Sequence, residues 1–303
     1  MLHSDYQNKG LSLALVATLC ASVAPALSKV VLSYVTSPVV LMLRMSFALL
    51  LLTIIMKVIV SERFQISKQS MLVAIFGALN FAFFIFGIQY MPTIFTPAFY
   101  SLVPIQTTIL AWLLFRNKIK PIKLVGILIG LIGTWVIFSE TFSGGSTSDI
   151  HPLGIVFLLT ASISITLYGL LIHNFKNLPS AYNVSQQAIF FGFLVSIPVA
   201  LFTPDSFVTV KPIDVWFWVG ILAFAGFGTV MQYVFYQNSI RILGTSATVI
   251  FFYLQPVFIV IISLLFLDER LTWHYPVGMA LVLLGSSLNI NYVLEKLSFL
   301  KAR

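Results

Sequence analysis

Charge is scarce in this 303-residue chain. Only 9% of its residues are Asp, Glu, Lys or Arg, against about 25% in a soluble domain. With 59% hydrophobic residues and a mean hydropathy of +1.02, it cannot cover a water-facing surface, so the bilayer must be its solvent. Cysteine is scarcer still. Cys20 stands alone, which excludes a disulfide framework and a cysteine-based metal site. None of the nine acids falls well inside an apolar run: Asp5, Glu62, Glu140, Asp149, Asp205, Asp214, Asp268, Glu269 and Glu295 sit at ends or in loops. The four histidines, His3, His151, His173 and His274, are scattered over separate segments. A membrane-embedded enzyme would need paired acids, a His/Glu metal set or a Ser/His pair. No catalytic residue, metal ligand or cofactor is therefore expected.

What is present is apolar length. A run of roughly 20 apolar residues spans the hydrocarbon core as a helix. Ten such runs occur, at 11–33, 37–60, 71–90, 94–115, 121–139, 152–174, 182–203, 215–238, 245–267 and 273–293. The expected fold class is an all-α membrane protein of ten transmembrane helices with short loops. Ser22-Val23-Ala24 resembles a signal-peptidase site. Cleavage there would leave nine helices, so the segment is read as an uncleaved first helix.

The runs repeat. Shifted by 152 positions, Pro104 falls on Pro256, Gly126 on Gly278, Gly133 on Gly285, Thr96 on Thr248 and Asn80 on Gln232. Residues 1–140 read as a first five-helix repeat, 141–151 as an outer linker, 152–293 as a second repeat and 294–303 as a cytoplasmic tail. Five spans is an odd number, so the second copy must be inverted. Charge agrees. With the N-terminus inside, the basic residues from Lys9 through Lys57, Arg63 and Lys68 to Arg116, Lys176 and Arg241 all fall inside, as does the C-terminal cluster. Only Lys211 and Arg270 fall in outer loops. This is positive-inside bias, and it makes the net charge of +8 a topology signal rather than a nucleic-acid footprint.

Polar residues form stripes at helical spacing. The fourth run aligns Thr96, Tyr100, Pro104 and Thr107; the first aligns Ser22, Pro25 and Lys29; the eighth aligns Thr229, Gln232 and Tyr236; the third carries Asn80. Such stripes must face protein or water. For the small residues, tight helix packing is the alternative. Asn80, Gln232, Tyr100 and Tyr236 are too large for close packing alone and are read as lining a cavity. Gln106 lies opposite its stripe and is expected to bond to a neighbouring helix. Pro104 and Pro256 sit mid-run and are read as kinks that free carbonyls near the midplane, either static or part of a hinge. Tyr168 and Phe252 are candidates for an aromatic wall, with packing the alternative. Two cations lie within runs. Lys29 either pairs with a substrate carboxylate or snorkels to the interface; Arg44 is a structural or charge residue, tied to neighbouring carbonyls.

Four places resemble the drug/metabolite transporter superfamily, in particular its EamA-type ten-helix members: Arg44 within LMLRMSFALLLL, the stretch FFIFGIQYMPTIFTPAFYSLVPI, YLQPVFIVIISLLFLDERLTW, and the paired GILIGLIG and GMALVLLG. Arg116-Asn117-Lys118 departs from the glutamate-containing turn typical of the family's first half. The resemblance implies two inverted repeats around a central cavity, lined by helices 1, 3, 4, 6, 8 and 9 and braced by helices 5 and 10. It implies alternating-access secondary transport of small metabolites across the inner (cytoplasmic) membrane, with both termini cytoplasmic. Amino acid or related metabolite export is the leading expectation, with uptake or exchange of a small anionic metabolite beside it and a channel disfavoured. A small-molecule substrate and the lipid bilayer are the expected partners, with no nucleic acid; a homodimer stays open.

Overall fold

The computed structural model describes residues 2–90, 96–117, 121–143, 151–258 and 276–285, with four isolated residues beyond (261, 273, 274 and 288). Among them, seven helical segments are long and apolar enough to cross a membrane: Tyr6–Leu32, Ser37–Val60, Lys68–Gln89, Thr96–Phe115, Pro152–Asn174, Ala181–Phe202 and Val215–Leu243. Three shorter apolar helices, Pro121–Val136, Thr245–Phe258 and Pro276–Gly285, fall where the fifth, ninth and tenth runs are expected. The outer linker is mostly outside the described residues, as are much of the last two runs and the C-terminal tail.

The helices are α1 (Leu2–Leu32), α2 (Ser37–Ile54), α3 (Lys68–Gln89), α4 (Thr96–Tyr100), α5 (Val103–Phe115) and α6 (Pro121–Ser143). Then come α7 (Pro152–Asn174), α8 (Ala181–Phe202), α9 (Val215–Ala225), α10 (Gln232–Leu243) and α11 (Thr245–Thr248), and finally α12 (Pro276–Gly285). Their starts follow local chemistry. Ser67 and Ser70 form a reciprocal capping box on α3. Asp214 caps α9 through the Trp216 and Phe217 amides, and Pro152 opens α7 where its missing N–H costs nothing.

The two halves interleave. α3 packs on α7 and α8, α1 on α9 and α10, and α2 on α8 and α9. Large apolar side chains point outward: Phe202 is 86% exposed, Ile59 75% and Trp216 67%. Such a surface suits hydrocarbon, not water. At one end the Tyr34 hydroxyl donates to Asp214 (2.7 Å), the Val210 amide donates to the Tyr34 carbonyl (2.8 Å), and the His151 amide donates to Tyr90 (3.2 Å). At the other end Glu62 accepts from Ser180 and Asn183, and Arg241 donates to the Pro179 carbonyl.

The fourth run is not one kinked helix; it breaks into α4 and α5 at Ser101-Leu102. Pro104 has no N–H to give the Tyr100 carbonyl, so the ladder stops there. The Leu102 amide turns instead to Phe99 (3.2 Å), and Pro104 opens α5. Pro256 follows an equivalent break. Val249–Tyr253 winds as a tighter 3₁₀ turn, and the Leu254 amide bonds to Phe251, three residues back. Leu102 and Leu254, 152 residues apart, share one backbone conformation, φ −75°, ψ −18° and φ −78°, ψ −14°.

The glycine-rich helices α6 and α12 touch backbone to backbone. A Cβ on Gly133 would lie 2.7 Å from the Gly278 carbonyl oxygen, and one on Gly285 would lie 2.6 Å from that of Gly126. Only glycine permits this approach. Position 133 meets 278 while 285 meets 126, so the two helices run antiparallel.

Candidate functional site

Arg44, the single cation of α2, is 3% exposed. Its Nε donates to Thr229 Oγ1 (2.7 Å) and its Nη2 to the Gly228 carbonyl (2.8 Å). Both acceptors lie in a π-helical turn, Gly226–Met231, that joins α9 to α10. Pairing to the fifth residue back widens the helix there. Gly228 must be small there, since a Cβ would meet the Phe224 ring at 2.7 Å and Ala24 at 3.2 Å. Three aromatic rings surround the guanidinium: Phe224 at 3.9 Å, Phe81 at 5.3 Å and Phe84 at 5.7 Å from Cζ. Their negative faces stabilise a charge held away from water.

Beside Arg44, Asn80 of α3 ties three elements together. Its Nδ2 donates to the Tyr100 hydroxyl (2.7 Å) and to the Ala161 carbonyl (2.8 Å). Its Oδ1 accepts from the Tyr233 hydroxyl (2.7 Å). Tyr233 also packs on Phe81, with ring centroids 4.3 Å apart. Phe81 and Tyr233 are 152 residues apart, and so are Tyr100 and Phe252, whose rings lie 6.4 Å apart. Residues at equivalent places in the two repeats therefore meet each other, and the site sits where the repeats meet.

A narrow cavity opens here. Arg44, Asn80, Thr96, Tyr100, Gln232, Tyr233 and Gln255 give it polar walls. Ala21, Ala24, Pro25 and Phe84 close it with apolar surface. Arg44 Nη1, Thr96 Oγ1 and Gln255 Nε2 are buried with no hydrogen-bond partner among the described residues.

The sequence-predicted residues divide into groups. Asn80, Tyr100 and Gln232 line the cavity together with Arg44. Tyr168, Tyr236 and Phe252 are buried in an adjoining aromatic stack: Tyr168 on Tyr236 at 6.5 Å, and Tyr236 on Phe252 at 5.4 Å. Gln237 donates to the Tyr168 hydroxyl. Pro104 and Thr107 are buried in α5, and Pro256 is buried just past the 3₁₀ turn. Lys29 is exposed in the last turn of α1 and is not among the cavity-lining residues. Gln106 bonds across to α7, donating to Ser162 (2.9 Å) and accepting from Thr166 (3.0 Å).

Sequence reasoning missed Tyr233 and Gln255. A helical stripe assumes about 100° per residue. The π turn before Tyr233 and the 3₁₀ turn before Gln255 both change that angle, bringing these side chains inward. The available signals were Gly226 and Gly228 for the first and a lone amide beside Pro256 for the second.

Outside the membrane-spanning segments, the Tyr34–Asp214 pair has a clear electrostatic signature. The hydrogen bond from Tyr34 holds the Asp214 carboxyl below its ordinary value, helped by the Trp216 and Phe217 amides and by Lys211. The same bond raises the Tyr34 phenol. Lys211 Nζ lies 3.6 Å from the Tyr34 ring centre.

These features define a multi-pass α-helical membrane protein with a buried polar cavity between its halves. The description of the EamA-like transporter family matches residues 8–139 and again 152–291, and the chain belongs to that family. It is similar to the uncharacterized transporter YyaM of Bacillus subtilis (strain 168), 29% identical over 71% of this chain and 69% of that protein. It is also similar to the uncharacterized transporter YetK of the same organism, 30% identical over 66% of this chain and 61% of that protein. A solved crystal structure superposes with a TM-score of 0.70 at 15% identity, covering 96% of this chain and 99% of the other, and so shares the fold.

Proposed function

We propose that the chain is a secondary transporter that moves small metabolites across the cytoplasmic membrane by alternating access, with export of amino acids or related metabolites as its task. One observation carries the reading: a cavity with unpartnered polar atoms, buried where equivalent residues of the two repeats meet. Polar groups at membrane depth are costly and belong to substrate paths. Two inverted repeats of five helices, residues 1–140 and 152–293, would place such a site near the midplane. The antiparallel contact of α6 with α12 supports that inversion. The matched breaks at Leu102 and Leu254, each within two residues of a cavity residue, suit elements that change shape as access alternates.

Cytoplasmic termini follow from charge. Lys57, Arg63, Lys68, Lys176 and Arg241 belong to the Glu62 end, whereas Lys211 belongs to the Asp214 end. Uptake or exchange of a small anionic metabolite is the second reading, favoured by the lone guanidinium of Arg44 in the cavity wall.

Counterflow tests the proposal. Proteoliposomes preloaded with excess unlabelled amino acids are given a trace of the labelled mixture outside. A carrier accumulates label transiently above its external level. Equilibration without overshoot would mean a channel, and no protein-dependent movement of any amino acid would remove the leading substrate class.

A further inference from the structure

The cavity wall carries one formal charge and three polar atoms with nothing to bond. Arg44 Nη1, Gln255 Nε2 and Thr96 Oγ1 are each shielded from the surface and unpartnered among the described residues, and all three residues line the same cavity. Guanidinium and amide N–H groups can only donate, and a threonine hydroxyl can donate. Leaving a buried donor unpaired is costly, and more so for a charged group. Neighbours already hold two of its nitrogens: Thr229 accepts from Nε and Gly228 accepts one bond from Nη2. The side chain is therefore held in place with one nitrogen left over.

The charge is also single. The position 152 residues beyond Arg44 is Ser196, so the repeat does not duplicate the cation. Among the described residues, no acid lines the cavity to neutralise it. A single cation at membrane depth balances one negative charge and not two, which disfavours a dianionic phosphate. A purely cationic cargo would be repelled.

We infer that Arg44 is the anchor for the carboxylate of a small substrate, with the Gln255 amide and the Thr96 hydroxyl completing the donor set. This deepens the transporter reading and rests on it. The apolar wall of Ala21, Ala24, Pro25 and Phe84 faces the remainder of the substrate, so the cargo pairs one carboxylate with an aliphatic or aromatic body. Lys29, exposed in the last turn of α1, is not the anchor.

The test uses the purified full chain in proteoliposomes loaded with a total metabolite extract, with mass spectrometry of what leaves. Matched probes accompany it: L-leucine against L-leucinamide, and 3-phenylpropanoate against its amide. The anchor requires that the compounds leaving carry a carboxylate, and that each acid outpace its amide by at least about tenfold, as loss of a charge-assisted hydrogen bond implies. Arg44→Gln should reduce acid transport by a similar factor, and Arg44→Lys should retain part of it. Because Arg44 also ties α2 to the π turn, its variants can fail to fold. Gln255→Leu and Thr96→Val remove donors with no partner among the described residues, and each should slow the acids several-fold. Transport of compounds without a carboxylate, amides moving as fast as acids, or acid transport untouched by Gln255→Leu and Thr96→Val would overturn the anchor and leave the transporter reading intact. An extract from which nothing moves in a protein-dependent way would instead remove both. Leucine moving alone, or phenylpropanoate alone, tells zwitterion from simple anion, and either supports the anchor.

Discussion

Asn80 shows how much one side chain can hold at this depth. Its amide bonds to Tyr100, to Ala161 and to Tyr233, joining α3 to α4, α7 and α10. Replacing it with Leu would orphan both hydroxyls and a carbonyl; Tyr233 would keep only a long contact of 3.4 Å to Gly77. Interhelical hydrogen bonds in membranes are worth about 0.6 kcal/mol on average and about 1.7 at most. Asn80→Leu should therefore cost about 2–3 kcal/mol, and Tyr233→Phe, which removes one bond, about 1 kcal/mol. Denaturation midpoints in detergent measure both. Equal losses in the two variants would mean that the bonds to Tyr100 and Ala161 add nothing independent of the Tyr233 bond. Asn80 was legible in the sequence because a large amide in an apolar helix has few reasons to be there. Arg44 was legible as a buried cation tied to a carbonyl, but not as a cavity wall. That depends on Gly228 and Thr229, 184 and 185 residues away along the chain.

At the scale of the element, hydropathy and helical period locate the spans and fail where the helix changes type. The long runs are continuous apolar stretches, so their positions follow from composition. The break at Leu102, the π turn at Gly226–Met231 and the 3₁₀ turn at Val249–Tyr253 leave hydropathy unchanged while altering the rotation per residue. Proline marked two of these three places, though as kinks rather than breaks. Pro104→Ala tests what such a break is for. It restores an N–H that the Tyr100 carbonyl can accept, letting α4 and α5 fuse into one helix. The denaturation midpoint should hold within about 1 kcal/mol or rise, while counterflow falls several-fold because the element next to Tyr100 can no longer bend. Unchanged transport in a protein of unchanged stability would make the break a static feature of the cavity wall.

For the whole molecule, the decisive property is that contacts between the two halves bridge each end. Tyr34 reaches Asp214 at one end, and Glu62 reaches Ser180 and Asn183 at the other. Alternating access requires one of these to part while the other holds, and it requires the ends to face opposite compartments. The proposed orientation, with the basic residues inside, puts the Glu62 end in the cytoplasm, and single cysteines test it. Cys20 is buried and, replaced by Ala, leaves a background without thiols. Phe207, 60% exposed near the Asp214 end, and Lys176, exposed near the Glu62 end, then serve as reporters. A membrane-impermeant maleimide should label Phe207→Cys on intact cells and Lys176→Cys only after permeabilisation. The opposite pattern would turn the protein over and place its N-terminus outside. Labelling of both on intact cells would mean that the two loops share a side and that α8, which lies between them, does not cross the bilayer.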